Sequence, residues 1–119
     1  MIASQPSSAK NSGVISPYGG NLVDLMVPES EQEEIKASAT KTLECSDRNA
    51  CDIELLVVGG FSPERGFMNQ LDYETVVSSH RTTTGYLFGL PIVFDTDQED
   101  LKVGDVVLLK YQGQDLAVL

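Results

Sequence analysis

The last third of the chain differs in character from the rest, and this change constrains the fold most. From Gly85 onward, β-branched and aromatic residues form short runs between turn residues, and the runs read YLFGLPIVFD, LKVGDVVLLKY and DLAVL. Such runs are typical of β-strands. Pro91 cannot donate to a ladder, so we expect residues 86–94 to be an edge strand or to bend near Gly89. The QGQ sequence at residues 112–114 predicts a tight hairpin.

The middle of the chain has helical patterns instead. Ser46 is an N-cap residue, and the apolar positions that follow recur at offsets of three and four, at Ala50, Ile53 and Val57. This pattern predicts a buried helix over residues 47–58 that ends at the glycine pair 59–60. Asn69 predicts the start of another helix in the same way. Its apolar face is expected to consist of Tyr73, Val76, Val77 and His80.

The first part of the chain is more polar. Residues 1–13 are rich in Ser and offer nothing to pack, so we interpret them as a flexible tail. Residues 22–27 form an apolar run that suggests a short buried strand. The stretch that follows Pro28 has its acidic residues first and its lysines later, as a helix dipole favours, and predicts a surface helix. Together these elements predict one α+β domain over residues 14–119.

The charge of the chain argues against several classes of partner. The 119 residues carry a formal net charge of -10. This sign argues against nucleic acid, because nucleic-acid binding draws most of its energy from lysine and arginine. It argues equally against an anionic membrane surface. The chain has no apolar run of membrane-spanning length and no secretory h-region at its start, so we expect a reducing, cytoplasmic location.

Residues with reactive side chains do not form a recognisable site. Cys45 and Cys51 match neither a CxxC pattern nor a zinc half-site, and we interpret both as small buried apolar residues. His80 is the only histidine, which excludes sites that need two imidazoles, and we expect it half-buried at a helix end. We therefore assign no catalytic, cofactor-binding or metal-binding residue.

Two groups of charged residues also receive a structural interpretation. The carboxylates between residues 95 and 100 are Asp95, Asp97, Glu99 and Asp100. They lack the glycine that a calcium loop requires, so a solvated loop is expected. The three arginines are Arg48, Arg65 and Arg81. We expect each of them to pair with nearby acidic residues.

A series of strings nevertheless resembles the N-terminal part of ATP sulfurylase, also called sulfate adenylyltransferase. In chain order they are PYGGNLVDLMVPESE, CSDRNACDIELLVVGGFSP, RGFMNQLDYETVV, LPIVFD, LKVGDVVLL and DLAVL. The most specific piece is GGFSP followed by GFMNQ, over residues 59–70. The resemblance implies a PUA-like mixed pseudo-barrel with short peripheral helices, which packs on a larger catalytic domain.

The resemblance also implies a chemistry that this chain does not carry by itself. Members of the family are nucleotidyltransferases that join sulfate to the adenylyl group of ATP and release pyrophosphate. Their QxRN, HxxH and GRD segments lie in the catalytic domain, where ATP-Mg and sulfate bind. None of these segments occurs in this chain, and residues 46–49 align instead with the family's SDR helix start. We therefore expect the chain alone to be inactive and to contain no cofactor site.

Three positions depart from the family's pattern. Tyr18 replaces the usual His, Glu64 the usual Leu, and Phe88 the usual Trp. Glu64 is the most informative, because a buried carboxylate at a domain interface is costly unless it is paired. We expect either partial exposure of Glu64 or a pairing with Arg65.

Three hypotheses follow for the function. The chain is the non-catalytic domain of a sulfate adenylyltransferase, and its end within an apolar strand suggests a fragment. Alternatively it is a stand-alone PUA-like module that binds RNA or a protein. A third hypothesis is a purely structural role, in which the chain completes, or oligomerises with, a separately encoded catalytic domain. This reading predicts an exposed apolar patch larger than a monomer normally has.

Overall fold

A computed structural model describes residues 14–119, which form three helices and a three-stranded sheet. The helices are α1 (Glu29–Ala37), α2 (Asp47–Val58) and α3 (Gln70–Ser79). The strands are β1 (Lys41–Glu44), β2 (Val107–Tyr111) and β3 (Gln114–Val118). The predicted α+β class is confirmed, and two of these three strands lie in the C-terminal third. The predicted tail at residues 1–13 lies outside the described residues.

The chain is organised in two units, each built from two separate segments. The first unit contains the described residues up to Leu25 together with Leu55–Asp95, and the second contains Met26–Glu54 and Thr96–Leu119. Both units contain buried apolar side chains. In the first unit these are Val23, Leu56, Val76 and Ile92, and in the second they are Leu43, Ala50, Ile53, Val107 and Leu109.

The sheet belongs to the second unit and has the strand order β1-β2-β3. β1 runs parallel to β2 with Leu43 opposite Leu109, and β2 pairs antiparallel with β3. The predicted hairpin is confirmed, because Gln112 and Gly113 both have positive φ, at 50° and 81°. Two positive φ values match the right-handed twist of the flanking strands. The sequence interpretation missed β1, whose four residues include only one buried side chain.

The predicted helix over residues 47–58 is confirmed at both ends. The hydroxyl of Ser46 accepts a hydrogen bond from the Asn49 amide at 3.1 Å, which satisfies one of the free N–H groups of the first turn. At the other end the Gly60 amide donates to the Leu55 carbonyl at 2.7 Å, while Gly59 adopts φ 86°. This is the Schellman arrangement that a glycine pair predicts.

The helix that begins after Asn69 is also confirmed, but its predicted apolar face is wrong. The Asn69 side chain accepts from the Asp72 amide at 2.8 Å. Of the predicted face only Val76 is buried, whereas Tyr73, Val77 and His80 are exposed. His80 ends the helix in the left-handed conformation, at φ 58°. Its position is set by the termination of α3, so the half-buried imidazole that we expected is not formed.

Two predicted strands are absent from the described residues. Residues 22–27 and 86–94 contain no strand, and the latter contribute only an isolated bridge from Leu87 to Arg81. The other alternative for residues 86–94 is confirmed, because the chain bends at residues 89–90. Their backbone groups bond singly to other elements, as when the Leu25 amide donates to the Val57 carbonyl at 2.9 Å. The apolar runs predicted burial correctly at Val23 and Ile92, but burial alone does not create a ladder.

The surface helix after Pro28 is confirmed as α1, which buries none of its residues. It ends at Ala37, where the Ser38 hydroxyl donates to the Ile35 carbonyl at 2.6 Å. Within residues 14–119, none of the helices has the length and apolarity that a membrane crossing requires.

Candidate functional site

The two cysteines lie in different environments. Cys45 is half-buried, and burial together with the Glu44 charge raises the pKa of its thiol. Cys51 is exposed on α2, so the prediction that it is a buried apolar residue is wrong. Its neighbours Ala50 and Ile53 occupy the inward side of the helix, which leaves position 51 on the outside. Both thiols are free.

The acidic loop is solvated, as the sequence predicts. Asp95, Asp97, Glu99 and Asp100 are all exposed. Within the described part of the chain, no three His, Cys, Asp or Glu side chains are grouped so that they could hold a metal ion. Asp100 instead lies 3.5 Å from the Lys41 ammonium, whose other partner is Asp105 at 3.2 Å.

Three of the four lysine side chains of the second unit are engaged in ion pairs. Lys36 lies 2.7 Å from Glu33 and 3.2 Å from Asp115, and Lys110 lies 3.1 Å from the same Asp115 carboxylate. Lys41 is paired as described above. A lysine that is already neutralised by carboxylates contributes little to the attraction of phosphate groups. This pairing weakens the alternative of a stand-alone RNA-binding module.

Asp115 joins α1 to the β2–β3 hairpin, since it pairs with one lysine from each. Hydrogen bonds from Lys110 and Lys36 lower the pKa of this carboxyl. A lowered pKa in the folded state gives stability that is present above the unfolded-state pKa and is lost as the pH falls through the folded-state pKa. The network is partly exposed, so salt should also weaken it.

We predict that Asp115→Asn lowers the urea midpoint of unfolding at neutral pH and low salt. The difference from the parent chain should shrink at high salt and on acidification, since both remove the same charge interaction. Asp97→Asn, in the exposed loop, is the control and should leave the midpoint unchanged under all conditions. A deficit of Asp115→Asn that is insensitive to salt would contradict the ionic origin.

A second polar contact of this unit connects β2 with the first turn of α2. The Tyr111 hydroxyl donates to the Asp47 carboxylate at 2.7 Å, and this bond raises the pKa of the tyrosine. Asp47 therefore has a structural partner 64 residues away. A local sequence pattern cannot predict this contact, because it depends on β2 and α2 lying close together in the folded chain.

Two of the three arginines, Arg65 and Arg81, do not form the expected ion pairs with the acidic residues that the structure describes. The Arg81 guanidinium donates to the Gly85 carbonyl at 3.0 Å, so its partner is a backbone group rather than the acid that we expected. Arg65 is exposed and forms no ion pair with the described residues. The tight turn after Arg81, in which Gly85 has φ 95°, brings that carbonyl within its reach.

Glu64 is half-buried, which resolves the two alternatives in favour of partial exposure. Burial raises the pKa of its carboxyl, and the charge of Asp72 raises it further. Asp72 itself has a lowered pKa, because it accepts hydrogen bonds from the Thr83 amide and hydroxyl at 2.8 and 2.7 Å. Ionisation of Glu64 in the folded chain is therefore unfavourable, whereas ionisation of Asp72 is favoured.

We predict that Glu64→Gln stabilises the chain at neutral pH by up to about 1 kcal/mol, a gain limited by solvent screening of a half-exposed group. A raised folded-state pKa gives stability that is present below the unfolded-state pKa and is lost as the pH rises through the folded-state pKa. The advantage of the variant should therefore vanish at acid pH. Urea unfolding across this pH range measures it, with the exposed Glu34→Gln as control. A variant that is less stable than the parent at neutral pH would refute the prediction.

Aromatic contacts hold together the loops of the first unit. The ring centroids of Tyr18 and Tyr86 lie 5.6 Å apart, and those of Phe61 and Phe88 lie 6.2 Å apart, both edge to face. Gly19 lies so close to Pro63 that a Cβ on the glycine would stand 2.7 Å from the proline Cβ. The positions that depart from the family's pattern, Tyr18 and Phe88, thus both take part in ring pairs.

Comparison with known proteins assigns the fold. A family model described as a PUA-like domain matches residues 15–119. The chain belongs to the PUA-like domain family. This PUA-like domain is 40% identical over 114 residues to a sulfate adenylyltransferase of Emericella nidulans and 40% identical over 113 residues to one of Neurospora crassa. Each match covers 87% of the chain and 20% of the relative, so the chain spans about one fifth of those proteins.

A solved structure supports the same assignment. The PUA-like domain is similar to part of the hexameric APS kinase from Thiobacillus denitrificans, with a TM-score of 0.78 and 30% sequence identity. The similarity covers 88% of this chain and 22% of that one. In both comparisons the domain therefore corresponds to a minor part of a longer protein.

Proposed function

We propose that this chain serves as the non-catalytic PUA-like domain of a sulfate adenylyltransferase, with residues 14–119 as its folded part. The observation that carries the proposal is the similarity over 87% of the chain to enzymes of which it spans only 20%. In this role it supports a catalytic portion that converts ATP and sulfate into adenosine 5′-phosphosulfate and pyrophosphate.

The charges of the domain support the non-catalytic part of the proposal. Sulfate and ATP are both anions, and their reaction requires positive groups that stabilise the charge of the transition state. Lys36, Lys41 and Lys110 are already paired with carboxylates. The pairing of these three lysines supports a catalytic portion that supplies the positive charge, whether it acts in cis or in trans. A cytoplasmic location and association into an oligomer are further parts of the proposal.

A chimera tests the proposed function. The chain would replace the matching fifth of the Emericella nidulans enzyme, and sulfate-dependent pyrophosphate release would be measured. We expect activity from the chimera, background from the chain alone, and a large loss when the same fifth is deleted without replacement. Turnover by the chain alone, or a chimera no more active than the deletion, would refute the proposal.

A further inference from the structure

The charged residues of this domain leave three long gaps in the sequence. The longest described stretches without Asp, Glu, Lys, Arg or His are residues 14–23, 55–63 and 82–94. All three belong to the first unit. More than thirty residues separate the first stretch from the second, and nearly twenty separate the second from the third. Their shared lack of charge is therefore not a single local feature.

The three charge-free stretches pack against one another. Between the first and the second, Gly19 contacts Pro63, and the Leu22 side chain lies over Gly59, with its Cδ1 2.8 Å from where a Cβ would stand. The Val23 amide donates to the Ser62 hydroxyl at 3.0 Å. The third stretch joins them through the Tyr18–Tyr86 and Phe61–Phe88 ring pairs.

Large apolar side chains are exposed along these stretches. Their exposed fractions are 49% for Tyr18, 57% for Leu22, 42% for Leu55, 55% for Val58, 56% for Leu87 and 53% for Leu90. We call the exposed side chains of residues 14–23, 55–63 and 82–94 the neutral surface. Single exposed apolar residues are ordinary, but their concentration in packed, charge-free segments marks an interaction surface.

The distribution of charge indicates what kind of partner the neutral surface fits. The described part of the first unit contains five acidic and two basic residues, whereas the second unit contains thirteen acidic and five basic ones. A body that packs on the neutral surface meets no charged side chain within these three stretches, so it avoids the desolvation of unpaired charges. Nucleic acid does not fit, because a neutral surface cannot replace the counterions of phosphates.

We propose that the neutral surface is the docking face for the catalytic portion of a sulfate adenylyltransferase, through an apolar and uncharged surface of that portion. This inference rests on the proposed function. The length of the relatives supports this occupant, since four fifths of each lie outside the region that the chain matches. Packing of the catalytic portion there would bury side chains that are half exposed in the chain alone.

Hydroxyl-radical footprinting compares the chain alone with the chimera. We expect the oxidation rates of Tyr18, Leu55 and Leu87 to fall at least threefold in the chimera. Leu71 and Val77 provide a matched comparison, because they are 60% and 54% exposed on α3, outside the neutral surface. Their oxidation rates should stay the same. Equal rates for the neutral surface in both proteins, or protection confined to α3, would overturn the proposal.

Paired variants provide a second measurement. Leu55→Gln with Val58→Gln should change the urea midpoint of the chain alone only slightly, because about half of each side chain is already exposed to solvent. In the chimera the same pair should abolish the footprinting protection and increase the rate of thermal inactivation about tenfold. The control pair, Leu71→Gln with Val77→Gln, should change neither. Equal inactivation rates for the two pairs would contradict the docking face.

The outcomes separate the two proposals. An inactive chimera with a protected neutral surface would refute the proposed function and support the docking face. An active chimera with an unprotected surface would refute the docking face alone. If the oxidation rates of the chain alone fall as its concentration rises, a second copy covers the surface, and the assignment to the catalytic portion is wrong.

Discussion

Replacement of Gly59 by alanine is expected to destabilise the domain by about 3 kcal/mol or more. Gly59 has φ 86°, a conformation that costs a residue with a Cβ roughly 1–2 kcal/mol. An added Cβ would also stand 2.3 Å from the Val23 carbonyl oxygen and 2.8 Å from the Leu22 side chain. The approach of Gly59 to Val23 is fixed by the backbone of both residues. The clash would therefore force the end of α2 away from residues 22–23. Thermal unfolding should show a midpoint lower by about 10 °C or more.

A second glycine separates the two causes of this loss. Gly113, in the β2–β3 turn, has φ 81°, but nothing lies within 4 Å of the position of its Cβ. Gly113→Ala should therefore lower the free energy of unfolding only by the conformational contribution, about 1 kcal/mol. Equal losses for the two variants would mean that the contact with Val23 is not a constraint.

Replacement of Ile92 by alanine is expected to cost about 3–4 kcal/mol, within the range found for large-to-small substitutions in cores. The Ile92 side chain is fully buried, at 0% exposure, and its carbonyl accepts a hydrogen bond from the Met68 amide at 2.7 Å. Its truncation removes buried methyl groups and leaves a cavity. A small domain has roughly 5–15 kcal/mol of stability in total, so the variant should lose a large share of it.

Leu90 is the control for this prediction. It lies two residues away in the same irregular segment but is 53% exposed. Leu90→Ala should change the free energy of unfolding by less than about 0.5 kcal/mol, as surface substitutions usually do. Urea unfolding followed by circular dichroism measures both variants. A loss for Ile92→Ala no larger than that for Leu90→Ala would show that the segment does not contribute to the core.

Helices could be predicted from the sequence because their signals are local. Ser46 and Asn69 cap the helices that follow them, and Gly59 and Gly60 end α2 where the pattern predicts. The strand expected at residues 22–27 did not form, and residues 86–94 bend at residues 89–90 instead of forming an edge strand. A strand needs a partner at the right register, and the sequence does not show whether one exists. Strand β1 was missed for the same reason, because its partner β2 lies 66 residues further along the chain.

Predictions about individual residues also succeeded where the signal was local and failed where it depended on distant parts of the chain. The expected solvation of the acidic loop needed only local charge, and it was confirmed. The predicted burial of Cys51 and of His80 failed, because each depends on which side of a helix meets the rest of its unit. The Tyr111–Asp47 bond joins β2 to α2 across 64 residues, and the Asp72–Thr83 bonds join α3 to the loop that follows it. Only the folded chain reveals these contacts.

The parallel pairing of β1 with β2 also governs how the domain emerges from the ribosome. Thr40, beside β1, bonds to Val106 across 66 residues, so β1 leaves the exit tunnel long before its partner has been translated. At ~5–20 residues per second this delay lasts roughly 3 to 13 seconds. During that interval the side chain of Leu43 has no neighbouring strand to cover it. Nascent chains of this domain should therefore be sensitive to the supply of chaperones that shield apolar segments during translation.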